Sequence, residues 1–258
     1  MKWLKKFVYA VMFLMTIACT DCGSIGQMVH GIDISNLQVK RIMIEPYLSS
    51  VEIIDGTGNT IGSGTIIKNE IGKPITVITA YHVIDEMKEI YIGLSYDSNR
   101  RKMHIANTSP SLDLAIIVSD TNEKKEGPYV NIGNQRPKIG DQIWAIGNPM
   151  GEARVVTEGV IGQDKMKIEI MKDKYPVLRN LYRITAPIFS GNSGGGLFND
   201  KGELIGVVVE MGMAAGRIII IDDNNQPKTV TNMFCSFPEP GAFFAVSLED
   251  VQEFILGE

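Results

Sequence analysis

The chain has 258 residues, enough for one or two domains and a substantial core. With 44% apolar and 21% charged residues it reads as an ordinary globular protein without repeat arrays or low-complexity segments. The formal charge of −5 falls to −8 if residues 1–18 are removed, because they hold three lysines and no acids, and an acidic surface argues against nucleic acid as a partner.

In chain order, Lys2, Lys5 and Lys6 precede an apolar run from Phe7 to Ala18. That run is too short for a comfortable membrane span and has the shape of a secretory signal, so residues 1–18 are expected to direct export to the periplasm, cell envelope or exterior. A buried amphipathic helix is the alternative, and the uniformity of the run weighs against it. Thr16-Ile17-Ala18-Cys19 looks like a degenerate bacterial lipobox with threonine where leucine is usual. Cys19 is therefore a candidate for lipid attachment to a membrane, with plain signal-peptidase cleavage nearby as the other outcome. Three cysteines is an odd count, and a lipidated Cys19 would leave Cys22 and Cys235 as a candidate disulfide pair.

Residues 19–46 show no clear period and are expected to form a tether or packing arm. From Val51 onward, short apolar runs alternate with turn residues. Val51–Ile54 and Ile61–Ile67 flank Asp55-Gly56-Thr57-Gly58-Asn59, which predicts a hairpin. Further strands are expected at Pro74–Thr79, Glu89–Leu94, Leu114–Val118 and Gln142–Ile146, then at Arg154–Ile161, Met166–Ile170, Leu181–Ile184, Leu204–Val209, Arg217–Ile221 and Phe243–Val246. Many β-branched strands with little helical period between them imply an all-β, closed or sandwiched architecture. The tail differs: Ser247 is a helix N-cap followed by acids, and Leu248, Val251, Phe254 and Ile255 fall on one face.

Three places carry chemistry. Gly191-Asn192-Ser193-Gly194-Gly195-Gly196 is too glycine-rich for a core strand. It reads either as a turn, as the elbow of an α/β-hydrolase, or as a nucleophile loop in which the N–H groups of Gly191 and Ser193 converge on an oxyanion. The elbow needs a helix after it and a histidine downstream, whereas His30, His82 and His104 all lie upstream. His82 sits where the apolar run from Ile75 gives way to polar residues, a position that suits either a general base or a satisfied core histidine. His104 lies among Arg101, Lys102 and Asn107 and reads as a solvated loop histidine, and His30 falls in the arm. Asp113 stands at the mouth of the apolar run Leu114–Val118, where an unpartnered carboxylate is costly. It is a candidate to orient the imidazole, with Asp85 as the competitor three residues after His82.

Thr79-Ala-Tyr-His82-Val, Asp113-Leu-Ala-Ile-Ile and Gly191-Asn-Ser-Gly-Gly195, in the order His, Asp, Ser, resemble the signature segments of trypsin-like serine proteases. Ile146-Gly-Asn-Pro-Met-Gly151, Val155-Val-Thr-Glu-Gly-Val-Ile161 and Gly241-Ala-Phe-Phe-Ala-Val-Ser247 are similar to the Deg/HtrA branch, and the match covers roughly residues 47–257. The resemblance implies two six-stranded β-barrels, the first about 47–150 and the second about 151–246, followed by a short C-terminal helix at 247–257. It implies a serine endopeptidase acting on unfolded or exposed polypeptide through Ser193, His82 and Asp113, with Gly191 and Ser193 as oxyanion donors and no metal or other cofactor. The main rival is a catalytically silent trypsin-fold protein that binds peptides or a partner. By the same resemblance Pro187, Val209 and Met211 border the primary specificity pocket; no acid is among them, so small or medium apolar residues are expected before the scissile bond. Gly196 and Ser190 stand where the family commonly has prolines, which predicts a looser backbone around the oxyanion loop, and Asn192 replaces the aspartate used in propeptide activation. The resemblance leaves no stretch for the PDZ module that many relatives carry, so the protein is expected to act without one.

Overall fold

The computed structural model describes residues 28–30, 32–33, 40–123, 126–149, 154–172, 175–209, 218–221, 227–230 and 243–257. The leader, all three cysteines and Met211 lie outside them. A short N-terminal unit, Met1–Val39, is separate from the unit Lys40–Glu258, and within it β1 (Met28–Val29) pairs antiparallel with β2 (Ile32–Asp33).

The isoleucine- and valine-rich runs of the first half close into a barrel. Its strands are β3 (Ser50–Asp55), β4 (Thr60–Lys68), β5 (Pro74–Ala80), β6 (Ile90–Leu94), β7 (Asp97–Ser109) and β8 (Leu114–Asn122), in the ring order β3-β4-β5-β8-β7-β6. Val51, Ile53, Ile66, Val77, Ile92 and Ile117 are fully buried in it, as alternating branched residues on a closed sheet should be. The hairpin expected after β3 is present: Asp55 Oδ1 accepts from the N–H groups of Thr57 and Asn59, both at 2.9 Å.

The second barrel consists of β9 (Gln142–Gly147), β10 (Val155–Lys172), β11 (Tyr175–Ile184), β12 (Gly196–Phe198), β13 (Leu204–Val209) and β16 (Phe243–Val246), in the order β10-β11-β16-β13-β12-β9. A separate ribbon pairs β14 (Ile218–Ile221) with β15 (Pro227–Val230). The two six-stranded barrels are those the resemblance implied, but the division between them is displaced. Gln142–Gly147 pairs with both β10 and β12, so the second barrel begins at Gln142 rather than near 151.

Two further differences from the sequence reading have simple causes. The stretch around His104 was expected to be loop and is instead β7, in which Met103 alone is fully buried. A strand this polar has no apolar alternation to reveal it, and its pairing is supplied by β6 and β8. His104 is nonetheless exposed, its Nδ1 lying 2.9 Å from Asp120 Oδ1. The compact unit also starts at Lys40 rather than 47. A 3₁₀ turn (Arg41–Met43) leads into α1 (Ile44–Ser49), which buries Met43, Pro46 and Leu48.

The last helix follows its expectation closely. In α3 (Leu248–Leu256), Ser247 Oγ accepts from the Asp250 N–H at 3.3 Å, and Gly257 caps the C-terminus at φ 74°. Leu248, Val251 and Phe254 are buried, and so is Asp250, whose carboxylate accepts from the N–H and the side-chain amide of Asn180 at 3.2 and 2.9 Å.

Candidate active site

After Ala80 the apolar strand β5 passes into a single helical turn, α2 (Tyr81–Ile84). Val83 and Ile84 bury themselves in the first core, which leaves His82 on the exposed side of the turn. Asp113 anchors that turn from below. Its carbonyl accepts the Tyr81 N–H at 3.0 Å, its Oδ1 accepts the His82 N–H at 2.9 Å, and its Oδ2 lies 2.8 Å from His82 Nδ1. Asp113 is only 4% exposed and takes a φ of +59°, a conformation in which a short polar residue is tolerated. A carboxylate at Nδ1 favours the tautomer that carries its proton there, and that tautomer would leave the Nε2 lone pair available to act as a base. Asp85 has a different role: its carboxylate bonds the neighbouring Tyr81 hydroxyl and raises that phenol above its usual range.

Ser193 comes from the second barrel, on the eleven-residue connection between β11 and β12. Asn192 N–H bonds Phe189 O at 3.0 Å, Gly195 N–H bonds Asn192 O at 2.9 Å, and Gly194 N–H reaches Val208 O in β13 at 2.8 Å. These bonds fold the glycine-rich stretch into consecutive tight turns that run straight into β12. A strand follows where the hydrolase elbow needs a helix, so that reading is excluded.

The two barrels meet at this loop. Ser63 N–H in β4 donates to Ser193 O at 2.9 Å, and Ser63 Oγ donates to Gly191 O at 2.6 Å. A Cβ added at Gly62 would lie 2.7 Å from a Val83 methyl and 3.0 Å from Ser193 O, so the residue after His82 and the carbonyl of Ser193 face each other across that glycine. Gly194 is held still more closely. At φ +84° its missing side chain would fall 2.2 Å from both Ser63 O and Thr79 Oγ1, so only glycine fits where the Ser193 loop meets the strand leading to His82. Ser193 and Asn192 are 4% and 3% exposed.

Gly196 opens β12 and pairs with Val207 on one side and Ile146 on the other, and a Cβ there would meet the Phe198 ring at 2.4 Å. Glycine at 196 makes room for Phe198. Of the expected specificity residues, Pro187 is exposed and Val209 is buried at the end of β13. Ser63 carries no mark in the sequence beyond its place in the strand run Gly62-Ser63-Gly64.

Residues 62–207 match the family described as the trypsin-like peptidase domain. The chain is 28% identical over 195 residues to the serine protease Do-like HtrA of Bacillus subtilis, covering 72% of this chain and 42% of that protein. It is 33% identical over 163 residues to a probable periplasmic serine endoprotease DegP-like of Rickettsia conorii, covering 61% of this chain and 30% of that protein. The chain thus spans less than half the length of these relatives. Its fold is similar to that of a serine endoprotease from Yersinia pestis, with TM-score 0.60, 24% identity and coverage of 84% of this chain and 64% of that one. It is also similar to the active form of an M. tuberculosis protease, with TM-score 0.63, 20% identity and coverage of 84% and 83%. On the match across residues 62–207, the chain belongs to the trypsin-like peptidase family, among relatives named as serine proteases of the HtrA and DegP type.

Proposed function

We propose that the protein is a serine endopeptidase that cleaves polypeptide through Ser193, His82 and Asp113. The observation that carries this reading is the doubly bonded His82–Asp113 pair, placed on the strand and turn against which the Ser193 loop packs. Ser193 Oγ attacks the scissile carbonyl while His82 takes its proton, and Asp113 holds the imidazole and stabilises its charged form. The N–H groups of Gly191 and Ser193 bind the developing oxyanion. His82 then returns the proton to the leaving amine, and water hydrolyses the acyl-enzyme by the same base. Val209 and Pro187 offer no carboxylate to a cationic side chain, which supports a preference for small or medium apolar residues before the cleaved bond.

Substrates are unfolded or exposed polypeptide, met after export. Relatives named as periplasmic support that location, and the basic-then-apolar leader supports export, with Cys19 as the site of membrane attachment if it is lipidated.

The test is labelling with a fluorophosphonate probe followed by intact-mass analysis, on wild type, Ser193→Ala and His82→Ala. One adduct on wild type and none on either variant is expected. A folded wild type that takes up no probe would overturn the proposal.

A further inference from the structure

Ser63 spends every polar group it has on the site while lying in the opposite barrel from the nucleophile. Its N–H donates to Ser193 O at 2.9 Å and its hydroxyl donates to Gly191 O at 2.6 Å. The same hydroxyl oxygen accepts the N–H of Asn148, the residue that follows β9, at 2.8 Å. Its carbonyl accepts from Thr79 Oγ1 at 2.7 Å, three residues before His82. The side chain is fully buried, so these contacts are not shared with bulk water.

From this convergence we infer that Ser63 is a positioning residue for catalysis: it fixes the Gly191–Ser193 backbone, and with it the oxyanion donors, relative to the strand that carries His82. It does not touch the reacting atoms. The Gly191 carbonyl belongs to the peptide whose other end is the Asn192 N–H, and that N–H is held by Phe189 O at 3.0 Å. Bonding the carbonyl to Ser63 therefore clamps that peptide at both ends, which restricts rotation on either side of it. Rotation there would swing the Gly191 and Ser193 N–H groups away from a common point. A displacement on the order of 1 Å at such donors costs about a hundredfold in rate, because their value depends on prior alignment.

The hydroxyl is the part that varies between substitutions. In Ser63→Ala the N–H and carbonyl bonds survive, while Gly191 O loses its donor and Asn148 N–H loses its acceptor. The cost should appear in the chemical step rather than in substrate capture. A serine in the same barrel supplies the control: Ser50 is equally buried and its Oγ donates to Pro46 O at 2.9 Å, away from the site.

The inference rests on the reading of Ser193 as the nucleophile, and the experiment separates the two. On the full chain, wild type, Ser63→Ala and Ser50→Ala are compared for fluorophosphonate labelling rate, for kcat and KM on an apolar peptide ester, and for hydrogen exchange of the peptide spanning residues 188–197. For Ser63→Ala the labelling rate and kcat are expected to fall about tenfold or more, with KM within about twofold and exchange accelerated about tenfold. For Ser50→Ala all of these stay within about twofold, at a comparable loss of thermal stability. A folded Ser63→Ala that labels and exchanges like wild type would overturn the inference. A wild type that does not label, with exchange still accelerated in Ser63→Ala, would remove the protease reading and leave the clamp standing. If Ser63→Ala does not fold, Ser63→Cys keeps the shape with a weaker donor, and unchanged labelling and exchange in that variant would equally overturn it.

Discussion

The two barrels contribute to the site in opposite ways. In the first, His82 and Asp113 stand just beyond the paired ends of the neighbouring strands β5 and β8, and three bonds tie Asp113 to the turn that carries His82. In the second, Ser193 rides on an eleven-residue connection, next to a strand, β12, that is only three residues long. His82 and Asp113 are thus held by the barrel that owns them, whereas the Gly191–Ser193 loop is held in large part by the barrel facing it, through Ser63, Gly62 and Thr79. On the proposed mechanism, a site built this way ties catalysis to the packing of one barrel on the other. Either barrel could be intact in isolation and the site still be unassembled.

The strongest way to break the contrast is at the first barrel's pair. Asp113→Asn keeps the volume but removes the acceptor that selects the imidazole tautomer, so kcat is expected to fall by about four orders of magnitude while the protein stays folded. Steady-state assay beside circular dichroism checks this. Unchanged kcat would show that His82 needs no carboxylate.

The second barrel should respond through stability first. Phe198 is fully buried, and its ring fills the space that Gly196 leaves open. Phe198→Ala is expected to cost about 3–5 kcal/mol in a denaturant titration, with local exchange in the loop rising before global unfolding. A loss below about 1 kcal/mol would mean that β12 is not the support of the loop.

The smallest effect lies at high pH, and it sharpens the comparison because each barrel covers a tyrosine, Tyr96 in part and Tyr182 fully. Burial pushes the Tyr96 phenol up to about 12, and burial likewise raises that of Tyr182, whose hydroxyl accepts from Leu248 N–H at 3.0 Å and donates to Glu249. Both phenols are neutral when folded and ionise more readily when unfolded. Their contribution is therefore complete below pH 10 and is lost as the pH rises toward 12. Tyr96→Phe is expected to flatten part of that decline, a difference of at most about 2 kcal/mol by denaturation at pH 9 and 11.5. A decline of equal depth in the variant would assign it to Tyr182 or to other groups.

Much of this molecule was legible before any coordinates. The apolar runs placed most strands of both barrels because branched residues between turn signals have few other uses. Ser247 and the acids after it marked the last helix, since capping is a local interaction. His82, Asp113 and Ser193 stand as candidates in the sequence because each differs from its surroundings: an imidazole following an apolar strand, a carboxylate opening one, and a serine among glycines. β7 was hidden because its residues are polar and its strand character comes from its neighbours. The barrel boundary was misplaced because Gln142–Gly147 looks the same whichever sheet it joins, and only its pairing with β10 and β12 decides.

What the sequence determined by itself, then, is what local chemistry can express: strand period, turn residues, a helix cap, and three candidate side chains in the order His, Asp, Ser. What the tertiary structure decided is how residues far apart in the chain are clamped together, as when the Ser63 hydroxyl reaches Gly191 across 128 positions. The physical reason is that a serine between two glycines in a strand carries no local mark of its partner, because the bond exists only once two closed sheets have packed and excluded water from the gap between them.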